Sequence, residues 1–106
     1  MYDDPLLIER YKRHHQKVWP EVLESIRVAG INRMDIYNVH TRLFMIIETD
    51  DAFSFEKKNQ LDATNKKVIE WEKLMDTYQK RLPFARKEEK WILMENIFSY
   101  GQVELQ

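Results

Sequence analysis

Tyr11 and His15 lie four residues apart, and Trp19-Pro20-Glu21 follows directly. On a helix, an i, i+4 spacing places a phenol and an imidazole one above the other on a single face. Such a pair offers a small polar ligand a hydrogen-bonding group and an acid–base group together. Imidazole titrates nearest neutrality, so it gives or takes a proton at physiological pH with little tuning. The same spacing also describes two residues that close an amphipathic core stripe, and periodicity alone favours that plainer reading.

Other chemistries find less support. The histidines His14, His15 and His40 show no ligand spacing with carboxylates, and a bound ion needs three or four converging donors, so no metal is expected. None of Ser25, Ser54 and Ser99 sits in a Gly-x-Ser-x-Gly elbow. Gly30 and Gly101 are the only glycines, too few for a phosphate-cradling loop, so no nucleotide cofactor is expected. What remains is a cofactorless, metal-free pocket built from His, Tyr, Glu and Trp side chains. Trp71 joins that set, although its place on a helical seam is also explained by core packing. Glu72 points about 100° further round the same helix, at the margin of the seam. Arg42 and Glu48 bracket a strand and can bind a hydroxyl, although strand ends are commonly polar simply where they reach solvent.

At 106 residues the chain is one domain, spanning residues 1–106. Charged residues make up 33% and hydrophobic ones 43%, the balance of a folded domain with a wet surface. Seventeen basic against eighteen acidic residues give a net charge of −1, so no global field holds a nucleic acid or an anionic membrane. With no cysteine there is neither a disulfide framework nor a thiolate nucleophile, and no apolar run is long enough to span a bilayer. A cytoplasmic location is the expectation.

The elements that must position these residues follow from local signals. Asp4-Pro5 pairs an N-cap acceptor with proline at the first helical position, and Leu7, Ile8, Tyr11, His14, His15 and Val18 then recur at helical spacing. The first helix is expected to reach about Val18. Pro20 bends the chain at Trp19 and starts a second helix that buries Val22, Leu23, Ile26 and Ala29 before Gly30 ends it. Residues 33–38 alternate and read as a strand; His40-Thr41 turns, and Leu43 to Glu48, apolar on both sides, reads as a strand covered on each face. A short helix is expected over Ala52–Lys58. A longer one, capped by Thr64 or Asn65, carries Val68, Trp71, Met75, Tyr78 and Leu82 as one seam closed by Pro83. Arg86–Lys90 reads as a solvated connection, and Trp91–Phe98 as a last strand.

Helix, strand, strand, helix, strand is a ferredoxin-like βαββαβ unit without its first strand, for which Met1-Tyr2 is too short. A missing strand leaves backbone groups unpaired, which proteins avoid by pairing or covering the edge. The tail 101–106 alternates apolar and polar residues, so it can add to a sheet edge, its own or a partner's.

These residues together resemble the L-rhamnose mutarotase family, over nearly the whole chain. The stretch from Tyr11 through His15 to Trp19-Pro20-Glu21 is similar to the family's signature of a tyrosine, a histidine four on, and Trp-Pro-Glu. Gly30, Ile36-Tyr37, Leu43-Phe44 and Glu70-Trp71 with Met75 also match. Arg42–Glu48, Phe53–Lys58 and Glu89–Met94 are closest to a subgroup associated with L-fucose.

The resemblance implies a small dimeric α+β barrel of ferredoxin-like fold, with no cofactor, that interconverts the α and β anomers of a 6-deoxyaldohexose. His15 matches the family's proton donor, Tyr11 a sugar-binding tyrosine and Trp71 the first of a tryptophan pair. Two positions depart: Met34 stands where the rhamnose type has another tyrosine, and Glu72 replaces the second tryptophan. Mutarotation needs one acid and one base, and positioned proton transfer contributes about 10²–10⁴ in rate. Glu48, Glu72 and water are the candidates for the base. A homodimer is expected, because a sheet with helices on one face leaves its other face apolar. The same residues also fit a cofactorless oxygenase or haem-handling enzyme on this barrel, or a sugar-binding module without turnover.

Overall fold

Asp4 accepts a hydrogen bond from the Leu6 N–H at 2.9 Å, and Pro5 fills the first helical position, opening α1 (Pro5–His14). The computed structural model describes residues 1–86 and 89–101. α1 ends before Val18. From His15 onward the N–H groups reach back three residues rather than four, His15 to Lys12, Gln16 to Arg13 and Lys17 to His14, so the last turn tightens ahead of the Trp19-Pro20 corner. Pro20 starts α2 (Pro20–Val28), as expected. Gly30 follows it with φ +95°, a backbone conformation that calls for glycine.

β1 (Ile31–Val39) and β2 (Arg42–Thr49) form an antiparallel hairpin closed by His40-Thr41. His40 takes φ +51°, and the Asn38 side-chain amide holds the turn by donating to the carbonyls of His40 and Arg42 at 3.0 and 3.1 Å. The register pairs Met34 with Ile47, Ile36 with Met45 and Asn38 with Leu43, half-buried residues that face the helices. The opposite face pairs Tyr37 with Phe44 and Asp35 with Ile46. There Phe44 and Ile46 are 45% and 44% exposed, so β2 is covered on one side only, not on both.

Ser54 caps α3 (Phe55–Ala63), which begins and ends later than the Ala52–Lys58 expected. Asn65 caps α4 (Lys66–Asp76) by accepting from Lys67 and Val68. α4 stops short of Pro83 because the Thr77 hydroxyl takes the Leu74 carbonyl at 2.7 Å, the acceptor that the Tyr78 N–H would need to continue the helix. Val68, Trp71 and Met75 are buried on α4, Tyr78 is buried just past it, and Leu82 lies outside it.

Trp91–Phe98 is not a strand. Among the described residues the sheet has two strands, and none lies beside this segment to take its backbone groups. Its apolar side chains lie open, Ile97 88% and Phe98 79% exposed. The tail expectation falls on residues 102–106, outside the described residues. Met1 and Tyr2 form no strand; they hold the chain start through the Met1 ammonium on the Thr41 carbonyl, 2.8 Å, and the Tyr2 N–H on the Tyr78 carbonyl, 3.1 Å. The order ααββαα with an antiparallel sheet is an α+β architecture compatible with a ferredoxin-like fold. No helix among the described residues is long and apolar enough to cross a membrane.

Candidate functional site

The core gathers where α1, α2 and α4 meet. Tyr11, Val22, Trp71, Met75 and Tyr78 are buried there, with Val18, Trp19, Ile26 and Leu43 packed around them. Within it the Tyr11 and His15 rings lie 4.4 Å apart, as their i, i+4 spacing requires. The Trp71 ring meets His15 edge-on at 5.5 Å and Trp19 at 5.2 Å. The structure therefore brings together the three residues singled out from the sequence: Tyr11, His15 and Trp71.

Their exposure differs. Tyr11 is 4% and Trp71 5% exposed, both packed as core, whereas His15 is half-buried and is the member a ligand reaches first. The early end of α1 shapes His15. Its backbone N–H has moved to the Lys12 carbonyl, and its side-chain Nδ1 lies 2.9 Å from the Tyr11 carbonyl, the acceptor released by that shift. A carbonyl only accepts, so Nδ1 carries the proton and, in the neutral ring, Nε2 holds a free lone pair. Nε2 has no hydrogen-bond partner among the described residues, and no unpartnered side-chain nitrogen or oxygen there is buried, so Nε2 is open to solvent. His14, one residue earlier, shares a 3.1 Å hydrogen bond between its Nε2 and the Tyr78 hydroxyl.

Burial pushes the Tyr11 phenol up to about 12; the hydrogen bond from Gln79 opposes the rise and the Glu72 carboxylate adds to it. Gln79 Nε2 donates to Tyr11 Oη at 3.0 Å, so the phenol keeps its own proton to donate.

Lys90 is not a solvated connector. Only 15% exposed, its ammonium reaches Glu72 Oε1 at 2.6 Å, the Glu72 carbonyl at 2.8 Å and Asp76 Oδ1 at 2.9 Å. Glu48 lies on the open sheet face opposite Arg33, 3.6 Å from its guanidinium, and Arg42 is exposed at the hairpin turn. Neither joins the cluster. Gln79, Tyr78, His14 and Lys90 were missed as contributors. The i, i+4 acids Glu72 and Asp76 share a helix face that suits a cation, a signal that went unread, and Tyr78 lay on the seam; nothing local marks Gln79. An open groove of about 660 Å³ between α2, Leu61 and the start of α4 includes none of these residues.

The profile of the L-rhamnose mutarotase family matches residues 3–100. An L-fucose mutarotase of Xanthomonas campestris pv. campestris is 35% identical over 104 residues, covering 96% of this chain and 83% of its own length. A UPF0734 protein of Dictyostelium discoideum is 33% identical over 105 residues, 92% of this chain and 82% of its own. An L-rhamnose mutarotase of Shouchella clausii is 28% identical over 64 residues, 57% of this chain and 56% of its own.

Proposed function

The chain belongs to the L-rhamnose mutarotase family, and on that premise we propose that it interconverts the α and β anomers of a 6-deoxyaldohexose by acid–base opening of the pyranose ring. It is an isomerase acting on carbohydrates. The observation that carries the finer reading is the His15 imidazole, tied at Nδ1, open at Nε2 and set against Tyr11 and Trp71. His15 protonates the ring oxygen, the Tyr11 hydroxyl donates to a sugar hydroxyl, and Trp71 offers its ring face to the sugar's C–H surface. Ring opening leaves an aldehyde whose rotation and reclosure give the other anomer. The chemistry needs no cofactor.

L-Fucose is the proposed substrate over L-rhamnose. The L-fucose mutarotase of Xanthomonas matches along nearly the whole chain, and Met34 and Glu72 stand where the rhamnose type carries aromatic residues. The proposal places the protein in the cytoplasm as a homodimer. The row Tyr37, Phe44 and Ile46 on the open sheet face supports the dimer, since apolar patches of this kind mark interfaces. Saturation-transfer NMR of anomer exchange with L-fucose and L-rhamnose tests the function. Faster exchange of L-fucose than of L-rhamnose is expected. Binding of either sugar with exchange at the protein-free rate would make this a sugar-binding module without turnover.

A further inference from the structure

We propose that His15 supplies both proton transfers of the reaction, taking the proton of the anomeric hydroxyl at Nε2 and returning it to the ring oxygen, with no second side chain acting as base. The proposal rests on the mutarotase reading above and fills the role of the base. Its foundation is geometric. The Tyr11 carbonyl holds the proton on Nδ1, so a neutral His15 presents a lone pair at Nε2, which can begin the reaction only as a base.

The competing carboxylates are engaged elsewhere. Glu72 is held by Lys90, which also bonds Asp76, and the alternation of β2 puts Glu48 on the sheet face turned away from Leu43, Met45 and Ile47, beside Arg33. Tyr11 accepts from Gln79 and keeps its own proton, so to the sugar it offers a donor and not a base. Two transfers by one nitrogen are sterically simple, because the anomeric and ring oxygens are bonded to the same carbon.

The steps balance. Nε2 takes the hydroxyl proton; the electron pair left on that oxygen forms the carbonyl as the bond between the anomeric carbon and the ring oxygen breaks. The ring oxygen then receives the proton from Nε2, which restores the neutral ring. Closure on the other carbonyl face runs the sequence backwards. No proton is gained or lost overall.

The active form is therefore neutral His15. The titratable and charged groups around it are Tyr11 and His14 on α1, Glu72 with its partner Lys90, Tyr78 beside His14, and Lys67, whose ammonium lies 5.9 Å from the centre of the Trp19 ring. His14 carries a second imidazole one residue away, so the two must be told apart. The experiment is saturation-transfer NMR of L-fucose exchange across pH 5 to 9, corrected for exchange without protein. Alongside it run the His14→Gln and Glu72→Gln variants and an NMR titration of the imidazole C–H signals.

The catalysed rate is expected to climb about tenfold per pH unit on the acid side, to bend where His15 titrates and to stay level above. His14→Gln and Glu72→Gln each keep that acid limb and its midpoint, whatever their plateau rate. A rate that falls as His15 loses its proton, or a midpoint that disappears in His14→Gln or in Glu72→Gln, would overturn the shared role while leaving the mutarotase reading intact. Exchange that is not accelerated at any pH overturns both.

Discussion

The meeting point of α1 and α4 and the β1–β2 sheet are built from the same kinds of residue but end in opposite states. Around Tyr11, His15 and Trp71 every ring has neighbours, and Gln79, Tyr78 and a backbone carbonyl take up Tyr11 Oη, His14 Nε2 and His15 Nδ1. On the sheet, Phe44 and Ile46 point outward and stay nearly half exposed, and among the described residues the segment after Lys90 runs unpaired with Leu93, Ile97 and Phe98 in the open. The contrast teaches that the cluster around His15 is closed by this chain's own side chains, whereas one face of its sheet is left open.

The largest way to break this contrast is Trp71→Ala. Trp71 touches His15 and Trp19 in the core, so its truncation should cost about 3–5 kcal/mol in urea denaturation. A loss below about 1 kcal/mol would mean that the cluster is not the packed region described.

Alkaline pH is a gentler probe of the same region. The folded phenol of Tyr11 titrates at about 12 against an ordinary 10.0, so the unfolded chain loses this proton first. The stability it contributes is fully present below pH 10 and is lost as pH rises from about 10 to about 12, on the order of 2–3 kcal/mol. Tyr11→Phe should lack that alkaline loss. The measurement is a set of melting curves at stepped pH; identical alkaline slopes for both proteins would contradict it.

The smallest stability change belongs to the sheet. Phe44→Ser with Ile46→Thr should alter the stability of one chain by no more than about 1 kcal/mol, because both side chains are half in solvent already. The same double substitution should shift sedimentation from dimer to monomer mass and leave anomer exchange per chain within about twofold. A collapse of exchange on dissociation would show that the site needs the second copy.

Much of this was legible in the sequence, for reasons that can be named. Asp4-Pro5, Pro20 and Gly30 announce helix boundaries through local chemistry, and the structure places α1, α2 and the hairpin where those residues put them. The Tyr11–His15 pair and the Val68, Trp71, Met75 seam followed from helical periodicity. The early ends of α1 and α4 did not, since each depends on a side chain replacing a backbone donor, His15 on the Tyr11 carbonyl and Thr77 on the Leu74 carbonyl. Trp91–Phe98 has the composition of a strand, but a strand exists only with a neighbour, and no pattern within the segment supplies one. Gln79 and Lys90 act across 68 and 18 residues of sequence, beyond what spacing reports.

The central claim is that His15 carries the proton chemistry, and saturation-transfer NMR of L-fucose with wild type and His15→Ala tests it most directly. His15 is half-buried and its side chain bonds only the Tyr11 carbonyl among the described residues, so the variant should keep a cooperative melt close to that of wild type. Its anomer exchange should fall to the protein-free rate while wild type accelerates it. Exchange by a folded His15→Ala protein at the wild-type rate would contradict the account.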